Sequence, residues 1–160
     1  MIDKSYPWAF FDGDAQGDPM TCGGGGIIYL SENKHFSLKA GLGSDTNNFV
    51  ELMALKLLLL FVIEKGIKML QIYGDSLVVI IWANGLQRCH IMRLIPIVEE
   101  LRLLKMFFDL ICFTHVYKEH NRLADGLSKE VAGMAQWIWN IIDTHEHGSD
   151  AYCHKLFHDL

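Results

Sequence analysis

The apolar positions change period along the chain, and each change marks an element. Trp8-Ala9-Phe10-Phe11 is a short apolar run stopped by Asp12-Gly13, the pattern of a buried strand ending in a turn. Gly23 to Gly26 leads into Ile27-Ile28-Tyr29-Leu30, and His35 to Ala40 alternates polar with apolar side chains. These two segments predict a hairpin around Ser31-Glu32-Asn33-Lys34 and, with the first run, a three-stranded antiparallel meander. From Asp45 the pattern turns helical. Asp45, Thr46 or Asn47 can cap a first turn, and residues 48–65 are rich in Leu, Met, Ala and Lys until Gly66 stops them. Apolar residues cover nearly the whole circumference of this helix, so it is expected to lie between the sheet and another helix.

Met69 to Tyr73 then predicts a strand closed by Gly74-Asp75, and Ser76 can cap a helix running to about Asn84-Gly85. Leu94 to Phe108 fits a helix with Glu99, Glu100, Arg102 and Lys105 on its polar face. Ile111 to Tyr117 is a last strand and Asn121 to Val131 a last core helix. Helical crossovers imply parallel neighbours, so the first, fourth and fifth strands are expected to run parallel in a mixed α/β sheet with helices on its faces. Residues 7–133 read as one domain. Residues 134–160 are expected to form one further helix, with Trp137 and Trp139 covering the core, and a loose solvated tail carrying His145, His147, His154 and His158.

Composition narrows the class. At 160 residues, with 51% hydrophobic and 21% charged, the chain has the balance of one folded domain and the reverse of a disordered one. The longest apolar stretch, Leu52 to Ile63, is interrupted by Lys56 and falls short of the roughly twenty residues of a membrane-spanning helix. No membrane partner is expected. The first residues lack the basic and apolar regions of a secretion signal, and Cys22, Cys89, Cys112 and Cys153 form no CxxC pair. A reducing intracellular location, nuclear or cytoplasmic, is therefore expected.

Candidate chemistry lies in the acids. If the first and fourth strands are parallel neighbours, Asp12 and Asp75 emerge at the same sheet edge, where open α/β sheets bind ligands. Two carboxylates held close are costly unless a proton or a cation is shared, and Mg²⁺ takes such oxygen ligands. Glu51 and Asp125 each fall near the start of a helix, where an acid is also favoured by the helix dipole alone.

These four acids sit in segments that together resemble the type 1 ribonuclease H family, in particular its plant retroelement-derived, reverse-transcriptase-like branch. The matching stretches are Phe11-Asp12-Gly13 through Gly24-Gly25-Gly26-Ile27, Thr46-Asn47-Asn48-Phe49-Val50-Glu51, Tyr73-Gly74-Asp75-Ser76-Leu77, and His115 through Asn121-Arg122-Leu123-Ala124-Asp125. The resemblance implies a mixed five-stranded sheet of order 3-2-1-4-5, with strand 2 antiparallel. It also implies an endonuclease that hydrolyses the RNA strand of RNA/DNA hybrids with two Mg²⁺ ions, or Mn²⁺ in their place. Asp12, Glu51, Asp75 and Asp125 would be both catalytic residues and metal ligands, and His120 would assist product release. Gly13, Asp14, Asn47, Asn48, Ser76 and Asn121 would lie at the substrate. The alternative is a nucleic-acid-binding module of a decayed or repurposed retroelement that no longer cuts.

Two departures add negative charge. Asp14 follows Asp12-Gly13 where the family has a small residue, and either points to solvent or disturbs the metal site; Asp18 stands in the next turn. The net charge of −5 is unusual for a nucleic-acid partner. It divides into −2 for residues 1–133, with thirteen Lys and Arg against fifteen Asp and Glu, and −3 for the remainder, with one against four. Two bound divalent ions would bring the first part to +2. Modest, metal- and salt-dependent affinity for a hybrid is expected.

Overall fold

The computed structural model describes residues 2–16, 21–43, 46–130, 138–145 and 148–155, with side chains at 16, 21, 43, 127–130 and the last two segments left aside. Strand β1 (Trp8–Gln16) pairs antiparallel with β2 (Thr21–Ser31) and parallel with β4 (Met69–Gly74). Strand β3 (Lys34–Gly43) pairs antiparallel with β2, and β5 (Leu110–His115) parallel with β4. These five strands have the order 3-2-1-4-5 with β2 antiparallel, as expected.

Two findings differ from the sequence reading. The first strand does not end at Asp12. Its parallel pairing with β4 stops at Phe11 opposite Gly74, while its pairing with β2 continues to Gln16 opposite Thr21. The glycines at 23–26 belong to β2 and face this extension. Asp12 therefore sits mid-strand, one residue beyond the parallel ladder. The second correction concerns residues 138–145 and 148–155, the described part of 134–160, where a helix and loose tail were expected. Ile138–His145 forms β6, antiparallel to β3, and Gly148–Lys155 forms β7, antiparallel to β6, so the sheet has seven strands among the described residues. Ile138, Trp139, Ile141, Ile142 and Thr144 are β-branched or aromatic, and β3 offers an otherwise unpaired edge. Trp137, His147, His158, Asp18 and Asp45 lie outside the described residues.

Helix α1 (Asn47–Glu64) starts at Thr46 and ends before Gly66, whose φ of 77° takes the left-handed conformation that closes helices. It is buried on nearly every side, from Val50 to Val62, because the sheet lies beneath it and α2 (Leu77–Ala83) and α3 (Ile95–Lys105) pack against it. Lys56, within that buried stretch, pairs with Glu100 of α3. Ser76 caps α2 by accepting from Val79 N at 3.4 Å, as its sequence position predicts. Helix α4 (Arg122–Glu130) packs on β1 and β2. Among the described residues no helix is long and apolar enough to cross a membrane.

What brings α1 so close to the sheet is the absence of side chains. A Cβ on Gly13 would lie 2.6 Å from the backbone of Val50 and Glu51, one on Gly24 would lie 3.2 Å from the Ala54 Cβ, and one on Gly26 would meet Leu58 at 3.3 Å. Strand alternation then sends Phe11 and Gly13 toward α1 and Phe10, Asp12 and Asp14 to the other side. The consequence is measurable by urea denaturation. Gly13→Ala is expected to destabilise the fold by about 1–3 kcal/mol, since rigid backbone must move. Gly126→Ala, in α4 with nothing among the described residues within 4 Å of its Cβ, should instead stabilise by about 0.5–1 kcal/mol.

Candidate active site

The end of the β1–β4 ladder gathers the acids. Asp12 and Asp75 follow paired residues, Phe11 and Gly74, so the parallel register delivers both carboxylates to one edge. Gly74 itself must be bare, because a Cβ there would lie 2.4 Å from the Phe11 ring. The turn after it is pinned by β5, with His115 Nε2 3.2 Å from the Asp75 carbonyl oxygen and the Val116 amide donating to the Gly74 carbonyl at 2.9 Å.

Glu51 comes from the second turn of α1, which has no acid in its first. A helix-dipole role is thereby removed, and its 8% exposure needs another account. The side chain reaches past bare Gly13, whose amide hydrogen-bonds its carboxylate. Asp12, Glu51 and Asp75 each place a carboxylate oxygen within 4.8 Å of the others. Asp125 does stand in the first turn of α4, and its side chain hydrogen-bonds Asp12. Asn121 holds it there. Its carbonyl accepts from the Asp125 amide at 3.1 Å, and its own Nδ2 donates to the Phe11 carbonyl at 2.8 Å.

The other expected site residues divide. Gly13, Asp14, Asn47, Asn48 and Ser76 line a cavity of about 370 Å³ with Asp12, Glu51 and Asp75. Asp14 does not point away to solvent; it shares the Asp12 face and lines that cavity because β1 stays extended. Asn121, expected at the substrate, is only 1% exposed and serves as the strut just described. His120 is not brought to the acids. The 3₁₀ turn Lys118–His120 sends it to a separate cavity of about 240 Å³ with Phe10 and Tyr29, while Lys118 faces the carboxylates. Lys118 was missed from sequence. Its position, seven residues before Asp125, was the available signal.

Electrostatics make this arrangement expensive without a cation. Burial, then the neighbouring Glu51, pushes Asp12 up to about 11. Burial likewise pushes Glu51 up to about 8, against the hydrogen bond from Asp12. Buried oxygens Glu51 Oε2, Asp75 Oδ2 and Asp14 Oδ2 have no hydrogen-bond partner among the described residues. Orphaned acceptors, close acids and an all-oxygen donor set fit a hard divalent ion.

A sheet of this order, with acids from four segments at one edge, defines a ribonuclease H-like protein. Residues 10–131 match the reverse transcriptase-like family, and the chain belongs to it. No curated protein sequence matches the chain. Ribonuclease H1 from the halophilic archaeon Halobacterium salinarum is 26% identical, with a TM-score of 0.73, over 79% of this chain and 97% of that one. LC11-RNase H1, isolated from compost by a metagenomic approach, is 25% identical with a TM-score of 0.69, over 79% of this chain and 95% of that one. A structure of LC11-RNase H1 in complex with an RNA/DNA hybrid aligns at 23% identity and TM-score 0.72, over 79% of this chain and 96% of that one.

Raised carboxyl pKa values fix the sign of a stability prediction. A group raised in the folded state contributes stability that is complete below its unfolded pKa and is lost as pH rises through its folded one. In chelator, the thermal midpoint should therefore fall between pH 5 and pH 9, as Glu51 at about 8 and then Asp12 at about 11 are approached. Asp12→Asn should flatten that slope in scanning calorimetry, and a steeper slope in the variant would contradict the assignment.

Proposed function

We propose that this protein is a divalent-metal-dependent endonuclease that hydrolyses the RNA strand of RNA/DNA hybrids, of retroelement type and of the plant branch its motifs resemble. The observation that carries the reading is the convergence of Asp12, Glu51 and Asp75 within 4.8 Å, with Glu51 Oε2 and Asp75 Oδ2 unpartnered among the described residues. Membership in the reverse transcriptase-like family and a shared fold with a ribonuclease solved on a hybrid support it.

Asp12, Glu51 and Asp75, with Asp125 beside Asp12, would hold two Mg²⁺ or Mn²⁺ ions. Such ions lower the pKa of a bound water and stabilise a departing oxygen. The chain's own residues do the rest. The buried carboxylates fix their oxygens through the Gly13 amide and the Asn121 strut, so little reorganisation is needed on binding. Asn47 and Asn48, on the cavity wall, can donate to and accept from a 2′-hydroxyl in the shallow minor groove, which supplies a choice of RNA over DNA. Ser76, on the same cavity wall, accepts from Val79 N and thereby holds the turn after Asp75, and its own O–H would be left to donate to a substrate oxygen.

Cleavage of an end-labelled hybrid in Mg²⁺ tests the reading, with products ending in 5′-phosphate and 3′-hydroxyl. Asp75→Asn should lower the rate more than about a hundredfold while leaving the protein folded. The second reading, binding without cleavage, is favoured by Asp14 lining the cavity as an additional acid. Salt-sensitive hybrid binding by folded protein with no turnover in either metal would select it.

A further inference from the structure

Lys118 is the one cationic side chain among the described residues that line the carboxylate cavity. Its Nζ lies 3.9 Å from Asp125 Oδ1. Across the cavity its charge acts on Glu51 as well, where it opposes the upward push of burial. The four proposed ligands are not equivalent around it. Asp12, Glu51 and Asp75 form the close group, whereas Asp125 joins through its hydrogen bond to Asp12 and faces the lysine.

We propose that Lys118 is a resident cation on the Asp125 side of the site, holding the place of a second divalent ion. The position formed by Asp12, Glu51 and Asp75 loads first, and the Asp125 position loads only as Lys118 withdraws. This inference rests on the metal-binding reading above and assigns Lys118 a positioning role, acting through Asp125.

The backbone around Lys118 is anchored on both sides. Val116 donates to the Gly74 carbonyl at 2.9 Å, and Asn121 Nδ2 donates to the Phe11 carbonyl at 2.8 Å. The start of the side chain is therefore held over the cavity. Its end is free to move, being 68% exposed on a flexible four-carbon stem. A divalent ion and an ammonium group cannot share one carboxylate at about 4 Å without repulsion. Solvent exposure limits that repulsion, so the penalty on the second ion is about five- to tenfold in affinity. A substrate phosphate near the cavity would attract the ammonium group and release Asp125. Substrate and second-ion binding would then strengthen each other, as linkage requires.

Mn²⁺ binding to the purified full chain without nucleic acid, followed by the electron paramagnetic resonance signal of free Mn²⁺, tests this directly. Wild type should show one tighter and one weaker ion. Lys118→Met should strengthen the weaker about five- to tenfold and change the tighter by less than about twofold. Lys118→Gln, which keeps a polar side chain, should do the same. Asp125→Asn should remove the weaker ion in both the wild-type and Lys118→Met backgrounds. A weaker ion unchanged or loosened in the lysine variants overturns the inference while leaving the metal reading intact. No Mn²⁺ uptake by folded wild type overturns the metal reading and the inference with it.

Discussion

The close approach of α1 to the sheet through Gly13, Gly24 and Gly26 is the constraint on which the site depends. With a side chain at position 13, the backbone at Val50 and Glu51 could not sit where it does. The Glu51 carboxylate would then not reach the Asp12 face. Packing and chemistry are thus one requirement. The bare positions that let this largely apolar helix bury itself against the sheet also bring its Glu51 carboxylate within 4.8 Å of Asp12 and Asp75. The Gly13 amide then holds the acid by a hydrogen bond.

A second constraint is electrostatic. The fold brings Asp12, Glu51 and Asp75 together, adds Asp125 through the Asn121 strut, and leaves Asp14 lining the same cavity. Burial, and after it the neighbouring carboxylates, raise the first two above the ordinary carboxyl range, which is a cost to the folded state. A site that opposes stability unless a cation is present is consistent with selection for binding rather than for packing. The overall acidity of the chain has the same origin in part, since its core carries these acids in one place.

Much of this was legible in the sequence. The apolar run before Asp12, the apolar helix around Glu51, the short strand before Asp75 and the Asn121-to-Asp125 motif locate four acids on four elements. The strand order follows from helical crossovers together with the family resemblance. Three features were not legible. Asp12-Gly13 reads as a turn because glycine and aspartate are turn residues, yet β2 offers the backbone partners that keep it extended to Gln16. The segment after Gly133 reads as helix by its apolar content, yet the free edge of β3 pairs with it. His120 and Lys118 are two residues apart, and only the 3₁₀ turn decides which faces the acids.

The sequence by itself marked the four candidate acids and the elements near which they fall, because hydrophobic period and residue type are local properties. The tertiary structure alone decided how the acids divide. It made a close group of three, set Asp125 beside Lys118, turned Asp14 into the cavity and Asn121 away from it. Those outcomes depend on strand alternation, on the parallel register and on contacts between segments far apart in the chain, and no local pattern encodes them.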